Sequence, residues 1–178
     1  MTRERRGLVI CYTGDGKGKT TAAIGLAVRA VGAGLRVRIL QFIKGEWKPA
    51  ELKGLALLGD RCSVEPLGLG FVTYKPKLPY ERHREAARAA WEQAKREMQS
   101  GAQDVLILDE INTAVRLGLL PTAEVIDALR TRPRQLHVVL TGRGAPPEIL
   151  DVADLVTEMR SVKHPYEHGI AAQYGIDF

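Results

Sequence analysis

The stretch from Tyr12 to Ala23 reads YTGDGKGKTTAA, and its residue types are those of a phosphate cradle. Gly14, Gly16 and Gly18 carry no Cβ, so backbone N–H groups there can converge on phosphate oxygens. Lys19 is placed to reach the outer phosphates, and the Thr20 hydroxyl to ligate a Mg2+ ion. Thr13, Asp15 and Thr21 belong to the same nucleotide-binding stretch, and Lys17 adds a second cation. An apolar run, Leu8–Tyr12, precedes the loop, and a helical pattern opens at Lys19. That strand–loop–helix context is what a P-loop requires, and the helix N-terminus adds partial positive charge. The spacing is one residue short of G-x-x-x-x-G-K-[ST]. The full pattern would place its first glycine at position 13, which is Thr13, so the loop reads G-x-x-x-G-K-T from Gly14.

A second stretch, VLILDE, ends an apolar run in Asp109 and Glu110. Carboxylates at a strand end can bind Mg2+ directly or through water. Glu110 is expected to be the nearer ligand, with Asp109 supporting it from behind. Arg143 in TGRG and Arg160 also follow apolar runs. Each is as well placed to be a solvated surface arginine as to reach phosphate. Together these residues imply a nucleoside triphosphate and Mg2+, and leave open what is done with them. A hydrolase needs a residue that positions water, and a kinase needs an acceptor site and a base. Neither stands in a decisive pattern.

The elements that must position these groups alternate along the chain. Strand-like runs are predicted at Leu8–Tyr12, Arg36–Phe42, Ser63–Leu67, Val105–Asp109, His137–Thr141 and Leu155–Met159. Runs such as VLILD and HVVLT are continuously apolar, as strands covered on both faces are. Helical spacing follows Lys19 (Ala23, Ala27, Ala30) and Pro79 (Ala87, Ala90, Trp91, Ala94, Met98), and Pro79 and Pro121 mark helix starts. The fold class expected is α/β: a single P-loop NTPase-like, RecA-like domain over residues 1–178. It is a three-layer α/β/α arrangement on a mostly parallel sheet of about six strands. Ligands of such sheets bind at the carboxyl ends of the strands, where every motif above falls.

Composition narrows the function classes. The chain is 45% apolar, enough for a core, yet no apolar run approaches the roughly 18 residues needed to span a membrane. The opening MTRERRGLVICY lacks the pattern of a signal peptide, so a cytoplasmic protein is expected, with no membrane partner. Cys11 and Cys62 have no metal-ligand or redox spacing and read as buried thiols. The net charge of +5 comes from basic residues interleaved with acids, not from a basic stripe, so no nucleic-acid partner is expected. His83, His137 and His168 have no spacing that suggests a metal site.

Several segments together closely resemble the P-loop family of ATP:corrinoid adenosyltransferases. They are YTGDGKGKTTAAIGLAVRAVGAGLRVRILQFIKG, GFVTY, LDEINTAVRLGLLP, LTGRGAPPEILDVADLVTEMRSVKH and the ending GIAAQYGIDF, in order over nearly the whole chain. The resemblance implies that the substrates are ATP and a reduced corrinoid. Co(I) attacks the 5′ carbon of ATP, a Co–C bond forms, and inorganic triphosphate leaves. Lys19, Thr20 and Glu110 would then stabilise the leaving group, with Mg2+ held by Thr20, Glu110 and Asp109.

The resemblance also implies an aromatic wedge that displaces the lower ligand of the corrinoid. Phe71 matches the family here, whereas Thr73 stands where many members have Trp. Either Phe71 acts alone or Tyr74 joins it. Asn112 either contacts the corrinoid, orients Glu110 or caps a helix. Lys163 and His164 fall in a matching segment with a nucleotide role or a structural one. Seven residues precede the first strand, where family members often carry a segment that closes over the corrinoid; closure is then either weaker or supplied by another loop, for which Lys75 to Glu85 are the candidates. A homodimer and an external reductase such as a flavoprotein are implied as partners, since nothing in the sequence resembles a flavin or iron–sulfur site. The ending Gly175–Phe178 matches the family without a physical role to assign. The rival readings are a P-loop ATPase or kinase, which would release ADP, and a nucleotide-dependent corrinoid carrier that turns over neither ligand.

Overall fold

The computed structural model describes residues 6–45, 50–73 and 77–177. Its centre is a six-stranded sheet: β1 (Val9–Thr13), β2 (Val37–Gln41), β3 (Cys62–Pro66), β4 (Val105–Asp109), β5 (His137–Thr141) and β6 (Leu155–Glu158). Every strand pairing is parallel. The order across the sheet is β3-β2-β4-β5-β1-β6. All six predicted strands are present, each boundary within one residue of expectation. Parallel neighbours need crossover connections. These carry α1 (Lys19–Gly32), α2 (Glu51–Ala56), α3 (Tyr80–Gln99), α4 (Ile111–Arg116), α5 (Thr122–Thr131) and α6 (Pro147–Val152). Pro79 and Pro121 sit in extended backbone just before α3 and α5, as the sequence predicts.

The two-residue period of the strands splits the apolar residues into two cores. On one face Ile10, Val37, Ile39, Val105, Ile107 and Val139 pack against Ala23, Ala27 and Ala30 of α1 and Leu55 of α2. On the other, Val9, Cys11, Leu40, Leu106, Leu108, Val138 and Leu140 meet α3, α4, α5 and α6 through Trp91, Met98, Ile111, Leu129 and Ile149. A fully buried side chain of this size contributes about 1.5–3 kcal/mol, so each core is a substantial source of stability. The result is a three-layer α/β/α, P-loop NTPase-like fold. The alanine face of α1 lets that helix lie close on the sheet, which brings its first residues to the carboxyl ends of β1, β4 and β5. No described helix is long and apolar enough to cross a membrane.

Candidate active site

The phosphate loop is built by close backbone approach. Gly14 and Gly18 adopt the left-handed conformation, with φ of 93° and 111°, which glycine enters without steric cost. Gly16 N–H donates to the Met159 carbonyl at 2.7 Å, and a Cβ at Gly16 would come within 2.6 Å of the Arg160 carbonyl. The loop therefore lies directly on the chain leaving β6, and the glycines are needed for that contact. Lys19 is 6% exposed. Its Nζ donates to the carbonyls of Gly14 at 2.7 Å and Gly16 at 2.6 Å. Burial lowers the Lys19 pKa; Glu110 opposes the shift, Arg143 adds to it and Asp15 opposes it. The predicted residues Lys19, Glu110, Arg143 and Asp15 thus share one electrostatic environment.

The carboxylates take roles the sequence did not assign. Asp109 is 1% exposed. Its Oδ1 accepts from Thr20 Oγ1 and from Thr141 Oγ1, each at 2.7 Å, and its Oδ2 accepts from Gln41 Nε2 at 3.2 Å. Lys44 Nζ lies 3.6 Å from Oδ2 and also pairs with Glu51. Asp109, not Glu110, is bonded to the Thr20 hydroxyl. The strand period explains this. Asp109 continues the row Val105, Ile107 on the α1 face, just as Gln41 continues Val37, Ile39 and Thr141 continues Val139. All three polar residues end their rows beneath the start of α1. Gln41, Lys44, Glu51, Thr113 and Thr141 were not singled out from sequence. A polar residue closing a buried apolar row was the signal available.

Glu110 lies just beyond the strand with φ of 64°, the one positive-φ residue other than glycine among those described. Its N–H donates to Thr141 Oγ1 at 2.9 Å, and its carboxylate accepts from Thr113 Oγ1. Burial pushes the Glu110 carboxyl above its usual range. The Thr113 hydrogen bond opposes that, Asp109 adds to it, and Lys19 and Lys44 oppose it. A carboxylate in strained backbone, facing a buried lysine, is typical of a functional position.

The remaining predicted residues spread further. Arg143 is exposed, and its N–H donates to Thr113 Oγ1 at 3.1 Å. Arg160 and Thr21 are exposed, the former forming one wall of the loop through its backbone. Thr13 is buried, and its hydroxyl accepts from Ala145 N–H at 3.2 Å. Phe71 is 67% exposed, and Thr73 is exposed beside it. Val72 between them packs on the core, and Gly70 N–H donates to the Ile43 carbonyl at 2.9 Å. The turn carrying Phe71 is thereby stitched to the QFIKG segment that faces Asp109. Tyr74 lies outside the described residues, as do residues 75 and 76 of the expected closing stretch; from Tyr80 that stretch is the start of α3.

Asn112 requires a correction. It is neither a helix cap nor an exposed contact: it is 0% exposed, one residue inside α4, and its amide donates to Cys11 Sγ at 3.4 Å. A side chain enclosed in this way presents no surface to a corrinoid. His164 is structural, its Nδ1 accepting from Tyr166 N–H at 3.2 Å, and Lys163 is exposed. His137 Nδ1 accepts from Leu8 N–H at 3.1 Å. Among the described residues no group of three His, Cys, Asp or Glu is arranged to hold a metal by itself.

A glycine-rich loop with a buried lysine, a Thr–Asp pair and an exposed aromatic all follow the carboxyl ends of the parallel strands. Residues 5–178 match the family model of the ATP:corrinoid adenosyltransferases BtuR/CobO/CobP. The chain belongs to this family. Curated relatives match across the whole of this chain. The corrinoid adenosyltransferase of Escherichia coli K12 is 42% identical over 100% of this chain and 89% of its own. That of Salmonella typhimurium LT2, named CobA, is 44% identical over the same shares. That of Pseudomonas aeruginosa is 38% identical over 100% of this chain and 87% of its own. The crystal structure of flagellar accessory protein FlaH from Methanocaldococcus jannaschii superposes with a TM-score of 0.56 over 86% of this chain and 71% of that one, at 15% identity, a likeness of fold alone. As a member of the family the protein is an adenosyl-transferring enzyme, with ATP and a corrinoid as its substrates.

Proposed function

We propose that this adenosyltransferase holds the triphosphate of Mg·ATP as a leaving group and directs its 5′ carbon to the cobalt of a reduced corrinoid, cobalamin or cobyrinic acid a,c-diamide. The electron pair of Co(I) forms the Co–C bond. The C5′–O bond breaks, its pair leaves with inorganic triphosphate, and no phosphoanhydride bond is cut. The observation that carries this reading is Lys19, buried and held over the loop, beside the Thr20–Asp109 pair at the same strand ends.

Negative charge grows on the departing oxygen, and preorganised donors aimed at it lower the barrier. Lys19, Lys17, the loop amides and the start of α1 are those donors. Asp109, Glu110 and the Thr20 hydroxyl form a hard oxygen set of the kind that holds Mg2+ together with substrate phosphates. They fit that ion, which when bound would neutralise triphosphate charge. Co(I) is itself the nucleophile, so the protein's task is alignment. Phe71, exposed beyond the carboxyl end of β3, is proposed as the apolar wedge under the corrin.

The electrons come from an external reductase, for which a flavoprotein is the class proposed. The cytoplasm is the compartment proposed, where the two free thiols, Cys11 and Cys62, remain reduced. The unit is proposed to be a homodimer, supported by the exposed apolar residues of β6. The test is product analysis with Mg·ATP and chemically reduced cobalamin under anaerobic conditions. A light-sensitive Co–C species formed one-for-one with triphosphate is expected. ADP and phosphate with unchanged corrinoid would return the loop to hydrolysis.

A further inference from the structure

The last residues of the chain fold back onto the phosphate loop. Lys17, between the two loop glycines Gly16 and Gly18, forms an ion pair with Asp177 Oδ1; the two side chains are 45% and 20% exposed. Asp177 is presented by a closed turn. Its Oδ2 accepts from Gln173 N–H at 2.7 Å, while its own N–H donates to the Gln173 carbonyl at 2.8 Å. Gly175 makes the turn possible with φ of 80°. Every residue from 165 to 176 is exposed and Asp177 is half-buried, so the turn is not held by a core of its own. It brings a fixed anion to a cation of the phosphate loop across 160 positions of sequence.

We propose that Asp177 is a positioning residue that competes with the triphosphate for Lys17, so that the tail turn sets how tightly the loop holds its leaving group. This rests on the proposed role of the loop as a triphosphate cradle. A carboxylate and a phosphate present the same kind of acceptor to an ammonium group. An ion pair this exposed exchanges readily, and a polyphosphate carries more charge than one carboxylate. Binding of the triphosphate draws Lys17 from Asp177 and releases the turn. Recapture of Lys17 by Asp177 then favours departure of the product, which otherwise would stay on a loop designed to bind it. The acid acts through the lysine alone, and this separates the idea from a general repulsion between Asp177 and phosphate.

The probe is inorganic tripolyphosphate with Mg2+, titrated calorimetrically into the full chain. Asp177→Asn is expected to bind it about fivefold more tightly, the upper size of one solvent-exposed ion pair. Asp177→Glu should remain within about twofold of the parent, since it restores the carboxylate. In a Lys17→Ala background the Asp177→Asn change should have no effect, because a coupling vanishes when either partner is gone. Equal affinity of Asp177→Asn and the parent overturns the proposal, as does an equal gain with and without Lys17. Lys19→Ala separates the two readings. If the parent binds tripolyphosphate, Lys19→Ala does not, and Asp177→Asn matches the parent, only the tail proposal falls. If the parent fails to bind at all, the cradle reading falls and takes the tail proposal with it.

Discussion

Glu110 concentrates the cost of the site in one residue. Its left-handed backbone costs on the order of 1 kcal/mol or more in a residue with a Cβ, and burial raises its carboxyl pKa. A raised carboxyl pKa means that folding favours the protonated form. Its contribution to stability is fully present below the ordinary carboxylate range and is lost as pH rises through the raised value. Glu110→Gln removes that dependence. Thermal unfolding followed against pH should therefore show the variant gaining on the parent across that window and then keeping a constant lead, while adenosyl transfer falls at least tenfold. Parallel melting curves would show that the burial of Glu110 carries no electrostatic cost. At this scale the phosphate loop was legible in sequence because each residue type there has one physical task. The bond of Asp109 to Thr20 was not, because two adjacent acids look alike until the strand period is followed to its end. The burial of Asn112 was not legible either: it sits in a polar motif, yet its side chain turns into the core against Cys11.

The elements supply the distances. β4 and β1 are separated by β5, which places Asp109 opposite Thr20, and Thr141 at the end of β5 ties the two together. Strand positions were legible because buried parallel strands are continuously apolar. The stitching between the chain after β2 and the turn at 68–70 was not, since it depends on backbone contacts: Gly70 N–H to the Ile43 carbonyl, and a Gly45 on which a Cβ would come within 2.6 Å of Gly70 N. That stitching holds Phe71 outward at the site's edge. If Phe71 weakens the lower cobalt ligand, it helps the reduction of Co(II) and not the later alkyl transfer. Phe71→Ala should then lower adenosylation from Co(II) with reductase at least tenfold more than adenosylation from chemically supplied Co(I). Because the side chain is exposed, the variant should melt within a few degrees of the parent, as surface changes near 0.5 kcal/mol do. Equal losses from both starting states would make Phe71 a simple contact surface.

At the scale of the whole molecule the two edges of the sheet differ. The β3 edge is screened by polar partners: Glu65 pairs with Arg38 of the neighbouring strand and accepts from Gln93 of α3. At the β6 edge all four strand residues are exposed, with Leu155 at 43% and Val156 at 42% on opposite faces. Past the strand, Val162, Tyr166, Ile170, Tyr174 and Ile176 are exposed as well. Alternation of strands and helices made the layers legible from sequence. It could not reveal which strand closes the sheet, because that depends on which crossover passes which neighbour. A parallel sheet edge that exposes apolar residues, with Glu158 the one charge on the strand, is a template for association, and a second copy of the same chain would cover it by a twofold, self-complementary contact. Sedimentation of the parent should then show twice the chain mass at micromolar concentration. Leu155→Lys with Val156→Lys should shift it to the single chain, with only a small change in melting temperature, since neither residue is buried in one copy. Leu57→Lys, at 88% exposure beyond α2 on another surface, should leave the mass unchanged. A parent that sediments as one chain, or a double variant that remains paired, would place the subunit contact elsewhere or remove it, and would leave β6 as an edge guarded by its short length and Glu158.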